Sequence, residues 1–141
     1  MPSLEDVRAI AAALPASEER ATTGGAAWFV RNKPYAWEAH PWPSIPADIR
    51  AVIERELVFV VKVPTEDDKR AYREGWPEVF LPQTTKWGEP KVAFRLASVD
   101  LGMLVELVTE GWYSQAPQYL KREFDAKFLA DVDSPRPRST R

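Results

Sequence analysis

The 141-residue chain contains no cysteine, which excludes disulfides, thiolate metal sites and cysteine nucleophiles. That absence suits a reducing compartment, and a cytoplasmic location is expected. Histidine is nearly missing too: His40 stands alone, so the paired imidazoles of a zinc site are not available. There is no phosphate-cradling glycine loop and no nucleophile elbow; Gly24-Gly25 by itself signals a turn. Long apolar runs are lacking. The longest, LVFVV at 57–61, is far short of the ~20 residues that a bilayer demands. The opening MPSLEDVRAI carries two acids before its apolar stretch, the reverse of a secretory signal. Positive charge is not in excess either. The net charge is −2, and without the three arginines of the terminal SPRPRSTR, 16 bases face 21 acids. A nucleic-acid-binding domain is usually basic overall, so such a role has to rest on a local patch. The expectation is a protein without catalytic residues, metal, cofactor or membrane contact.

What is present is an ordinary globular composition, 45% hydrophobic and 28% charged, long enough for one core. Ser3 with Asp6 forms a capping-box pattern before Leu4, Val7, Ile10, Ala11 and Leu14, which fall at helical spacing, and Pro15 ends that helix. ASEERATTGG, 16–25, reads as a polar connection. Residues 26–39 alternate as a hairpin with its turn at 32–34, placing Trp28 and Val30, then Tyr35, Trp37 and Ala39, on the core side. HPWPSIP, with three prolines in seven residues, forbids regular structure, and a short helix follows at 47–55. LVFVVKV, 57–63, is the best central strand. Thr65 and Asp68 repeat the capping pattern, and Glu66, Asp67 and Asp68 crowd a first helical turn, where the helix dipole already accounts for them. Residues 79–82 and 91–96 read as a second strand pair. Asp100 caps a helix carrying Leu104, Val108 and Trp112, and a last helix begins near Pro117.

This order predicts a two-layer α+β domain over residues 1–130, with an antiparallel sheet and its helices on one face. Residues 131–141 read as a disordered tail rich in arginine and proline.

The sheet face away from the helices would then collect Arg31, Lys62, Lys91 and Arg95 against Glu38, a local positive patch that attracts phosphate. Lys33 and Lys86 flank it, and Trp87 is placed to stack on a base. Lys121, Arg122 and the arginine tail are further phosphate contacts. Phe29, Val58 and Val60 share that face, and an apolar floor ringed by bases equally describes a homodimer or protein-partner interface. A third reading makes His40 and the loop tryptophans Trp42, Trp76 and Trp87 the lining of a small-ligand or enzymatic site. Packing over the ends of the core accounts for those tryptophans without any ligand.

The chain resembles the MmcQ/YjbR family of small bacterial proteins. The resemblance rests on ALPASEER (13–20), FVRNKPYAW (29–37), VKVPTEDDK (61–69), PEVFLP (77–82), VAFRLASVDLGMLVELVTEGW (92–112) and APQYL (116–120). QTTKWGEPK and AHPWPSIP depart from the family pattern. The resemblance implies a helix, three-strand, helix, two-strand, helix fold shared with secretion-chaperone-like proteins, and a DNA-binding role; the scarcity of enzyme motifs makes that role non-catalytic, and the lack of a recognition helix with base-reading side chains makes it weakly sequence-specific.

Overall fold

In the computed structural model the described residues are 2–82 and 90–132, with side chains through residue 127. The elements are α1 (Leu4–Ala12), β1 (Ser17–Thr22), β2 (Gly25–Val30), β3 (Lys33–Glu38), α2 (Ala47–Arg55), β4 (Val58–Lys62), α3 (Glu66–Gly75), β5 (Lys91–Arg95), a short 3-10 turn at Leu96–Ser98, α4 (Leu101–Gln115) and α5 (Gln118–Val132). The strands form one antiparallel sheet in chain order, β1-β2-β3-β4-β5. The α+β class and the antiparallel sheet are as expected from the sequence.

The caps act as read. Asp6 accepts the Ser3 N–H at 2.8 Å, Thr65 Oγ1 accepts the Asp68 N–H at 3.1 Å, and Asp100 accepts the Met103 N–H at 2.7 Å. Each satisfies a backbone donor that the first helical turn leaves open. The main core lies between the inner sheet face and α1, α3, α4 and α5. Trp28, Phe59 and Phe94 meet Leu104, Leu107, Val108 and Trp112 there. Trp112 is fully buried, and its indole N–H donates to the Pro15 carbonyl at 2.9 Å. Gly111 lets α4 press onto the sheet: a Cβ there would lie 2.9 Å from the Tyr35 carbonyl oxygen.

Four local features differ from the sequence reading. Residues 17–22, inside the expected polar connection, are strand β1. It is the sheet's free edge, and charged side chains on such an edge discourage pairing with another chain while hiding the strand from a hydrophobicity pattern. The hairpin turn is Arg31-Asn32, both at positive φ (49° and 69°), a tight two-residue connection that suits the strand twist. Residues 79–82 form no full strand. Phe80 makes a single bridge to Phe94, with Leu81 N–H donating to Ala93 O and Arg95 N–H to Val79 O; Pro82 has no N–H to continue the ladder.

The fourth is a bulge. Trp28 pairs with Ala36 but Phe29 pairs with Pro34, leaving Tyr35 as the extra residue. Tyr35 and Ala36 both reach the inner core, and Trp37 turns to the outer face. A one-residue shift moves every later side chain to the other side, so Trp37 does not lie on the main core stripe where simple alternation put it. Helix α2 sits on that outer face as well, packing Ile49, Val52 and Ile53 on Val58, Val60, Leu81 and Ala93. The other four helices share the inner face.

Candidate functional site

Helix α2 is short and amphipathic, and it does not fill the outer face. Between it and the sheet lies a cleft of about 510 Å³. Its floor is made by Ala27, Trp37, Val60 and Ala93, and its roof by Ile45, Ile49 and Ile53. Floor residues come from adjacent strands in register: Ala27 opposes Trp37, Trp37 opposes Val60, and Val60 opposes Ala93. The proline-rich segment supplies the wall at one end. Its His40 and Trp42 rings pack at 4.2 Å between centroids, and Gly24 allows the β1–β2 turn to approach, since a Cβ there would be 3.2 Å from the His40 Cβ. Beside them the Glu38 carboxylate accepts the Ala26 N–H at 2.7 Å. It folds over Gly25, whose φ of 123° suits glycine alone.

The opposite end is basic. Lys62 and Lys91 are direct cross-strand partners and, by alternation from Val61 and Val92 in the inner core, both belong to the outer face. Lys62 is buried, at 7% exposure. Lys91 lines the cleft, with Nζ 5.6 Å from the Trp37 ring centroid, a cation–π distance. Nearby on the same face, the Arg20 guanidinium lies 4.3 Å from the Phe29 centroid and is held by Glu18 at 2.8 Å and Asn32 Oδ1 at 2.6 Å.

The nine candidate contact residues therefore do not form one surface. Lys62 and Lys91 stand together, and Arg95, at the far end of β5, pairs with Glu56 at 3.5 Å. Arg31 is not on the outer face. Its turn directs Nε to the Tyr119 hydroxyl of α5 at 2.6 Å, on the helix side. Lys33 is exposed just after that turn, and Arg122 is exposed on α5. Lys121 lies 5.2 Å from the Tyr113 ring centroid. Lys86 and Trp87 fall outside the described residues, as do positions 133–141 of the expected tail.

Sequence reading missed Arg20, whose strand looked like a loop, and the joining of Trp37 with Ile49 and Ile53. The signal for the roof was present, since Ile49, Val52 and Ile53 have the spacing of a helical face. What it lacked was any indication of the side of the sheet it covers. No helix among the described residues is long and apolar enough to cross a membrane.

No protein-family model matches the chain. It is 32% identical over 130 residues to the uncharacterised proteins Mb2600 of Mycobacterium bovis and Rv2570 of Mycobacterium tuberculosis, covering 88% of this chain and 96% of each of them. Its fold is similar to that of Deinococcus radiodurans DR2400, a DUF419 domain, with a TM-score of 0.59 at 18% identity over 79% of this chain and 77% of that one. At 32% identity along nearly the full length of both chains, the protein belongs to the same family as these uncharacterised mycobacterial proteins.

Proposed function

We propose that this protein is a non-catalytic binding protein that holds a small, largely apolar ligand in the cleft beneath α2. The observation that carries the reading is the cleft itself. Its volume falls in the ~300–1,000 Å³ range of ligand pockets, and its apolar walls carry few polar groups. Those polar groups are held as parts of the wall: Glu38 by the Ala26 N–H, His40 by Trp42, Lys91 by Trp37. A cytoplasmic setting agrees with the cysteine-free composition. Placement in MmcQ/YjbR belongs to the same proposal, supported by the motif succession; the observed order differs from the implied one in that α3 separates β4 from β5.

The test uses a neutral reporter, N-phenyl-1-naphthylamine, whose fluorescence rises in apolar surroundings. Saturable binding by the wild type, lost in a folded Ala93→Phe variant whose ring occupies the floor, is the expected result. Binding unaffected by Ala93→Phe, or no binding to the wild type, would overturn it. Should Ala93→Phe not fold, Ile49→Phe blocks the cleft from the more exposed roof.

A second reading is favoured by one feature. Arg31 and the half-exposed Tyr119 are joined across the β2–β3 turn and α5, and Arg122 lies one helical turn beyond Tyr119 on the same face. An exposed aromatic among cations suits weak, sequence-tolerant nucleic-acid contact. The outer face suits it less, because α2 stands over it. Anisotropy of labelled DNA at about 50 and 200 mM salt, where phosphate contacts are distinguished, separates the placements. Arg31→Glu with Arg122→Glu is expected to abolish binding, and Lys91→Glu with Arg95→Glu to leave it largely intact. No binding at the lower salt would remove the nucleic-acid reading.

A further inference from the structure

We infer that residues 40–56, helix α2 with its proline-rich approach, are a hinged cover that lifts as one unit to admit and release the ligand and is seated by it; this rests on the cleft being a ligand site. The segment is an excursion between neighbouring strands. The Ala39 N–H donates to the Val58 carbonyl at 2.8 Å, and the Leu96 N–H donates to the Leu57 carbonyl at 3.0 Å. Both roots are therefore fixed in the sheet. Among the described residues, the backbone hydrogen bonds between those roots stay inside the segment. The Trp42 N–H donates to His40, Ile45 to Trp42, Arg50 to Pro46 and Glu56 to Val52.

Each of the other helices is tied to a neighbour by a side-chain hydrogen bond. Arg8 of α1 donates to Glu19 of β1 at 3.1 Å, and Tyr72 of α3 donates to Glu110 of α4 at 2.8 Å. Trp112 of α4 donates to the Pro15 carbonyl at 2.9 Å, and Asp125 of α5 accepts from Tyr113 of α4 at 2.9 Å. Among the described residues α2 has no such tie. Its Ile49, Val52 and Ile53 meet the sheet, but none of them is fully buried. One ion pair, Glu56 to Arg95 at 3.5 Å, stands at its C-terminal root. Only that pair and three half-buried side chains have to part from the sheet when the helix lifts.

The hinges are at hand. Glu56 is extended between α2 and β4, at φ −134° and ψ 161°, and a turn precedes α2 at residues 43–44. A few such element-terminal residues absorb the dihedral changes of a hinge motion. A ligand lying between floor and roof touches Ile49 and Ile53 as well as Trp37 and Ala93 only while the cover is seated. It therefore binds the seated state better and shifts the population toward it. Once lifted, a helix of nine residues is too short to keep its hydrogen bonds in water. Amide exchange then reports the lifting.

The experiment is hydrogen exchange followed by mass spectrometry on the full chain, for the wild type and Glu56→Gln. Each is measured free and with N-phenyl-1-naphthylamine at about 100 times its dissociation constant. In the free protein the amides of α2 should exchange together, and at least about 100-fold faster than those of residues 104–112 in α4, because a weakly tied segment opens well below the free energy of global unfolding. The reporter should slow α2 and α4 alike by about 100-fold, the factor set by its excess when neither the lifted cover nor the unfolded chain holds it. Glu56→Gln should speed α2 about two- to fivefold, the scale of a surface ion pair.

Exchange of α2 as slow as that of α4 in the free protein would overturn the cover as a moving part. A reporter that slows α4 and leaves α2 untouched would overturn the gating, since α2 would then open with the ligand in place. Unchanged exchange of α2 in Glu56→Gln would overturn the ion pair as the latch. No saturable binding of the reporter would overturn the ligand site itself, and the contrast between α2 and α4 in the free protein would still decide whether the cover moves.

Discussion

Gly111→Ala is the perturbation that most directly tests how α4 is seated on the sheet. In an exposed helix, replacing glycine by alanine stabilises by about 1 kcal/mol, since glycine surrenders more backbone freedom. At Gly111 the added methyl would lie 2.9 Å from the Tyr35 carbonyl oxygen and 3.4 Å from that of Lys62. Both acceptors are backbone atoms of adjacent strands, so neither can swing aside. Helix α4 has to lift by several tenths of an ångström over a core that includes Leu107, Val108 and Trp112, an overpacking cost of about 1–3 kcal/mol. Gly102→Ala in the same helix is the control, because its methyl would meet only the Asp100 carboxylate at 3.4 Å. To first order the propensity gain is common to both variants, and their difference reports the close approach. For a domain of this size the melting temperatures should differ by about 3–12 °C, Gly111→Ala being the lower. Thermal unfolding followed by circular dichroism measures it. A Gly111→Ala protein as stable as Gly102→Ala would refute the seating of α4 described here.

Two other substitutions read single interactions. The Glu110 carboxyl, which accepts the Tyr72 hydroxyl at 2.8 Å, is raised above its ordinary value near 4.5, first by burial and then by Glu106 and Asp68, with the Tyr72 hydrogen bond opposing. The folded state therefore holds that proton more tightly than the unfolded one, and stability falls as pH rises from about 4.5 through the raised value. Glu110→Gln should remove that slope, so its melting temperature exceeds the wild type's at neutral pH and converges with it in acid; equal slopes would refute the assignment. Trp112→Phe leaves the Pro15 carbonyl without its indole donor and opens a void in the core, a loss of about 2–4 kcal/mol by urea unfolding, and a change under about 0.5 kcal/mol would contradict the burial seen.

Much of the fold was legible because local chemistry repeats. Ser3, Thr65 and Asp100 cap helices whose first turns need an acceptor, and the apolar run at 57–61 can be little other than a central strand. The free edge was not legible, since Glu18, Glu19 and Arg20 carry a composition that loops share, and only pairing with β2 makes them a strand. The bulge at Tyr35 was hidden for a different reason. Period-two alternation in PYAWEA is intact as written, and the extra residue exists only relative to β2. That single residue determines where Trp37 points, so it also determines whether the candidate site can be seen. Lys62, Lys91 and Arg95 stand on the outer face where alternation puts them, but alternation assigned Arg31 to that face as well. In the structure it belongs to a tight turn that hands it to Tyr119.

The cleft follows from a mismatch of side-chain sizes that no single segment reveals. Its floor uses alanine at 27 and 93, on either side of Trp37 and Val60, and its roof is a nine-residue helix with three branched aliphatic residues turned inward. A helix lying on a sheet with large floor residues would close the gap and remove more apolar area from water. Here the alanines keep the floor low while Trp37, brought outward by the bulge, stands up beside them as a wall. Prolines 41, 43 and 46 fix φ along the approach to α2, which turns at residues 43–44 with the Ile45 N–H donating to the Trp42 carbonyl at 3.0 Å, so the helix cannot settle deeper without displacing His40 and Trp42 from the end wall. Filling the floor should therefore be tolerated by the fold and felt by the ligand, the separation expected when residues serve a binding site rather than the core.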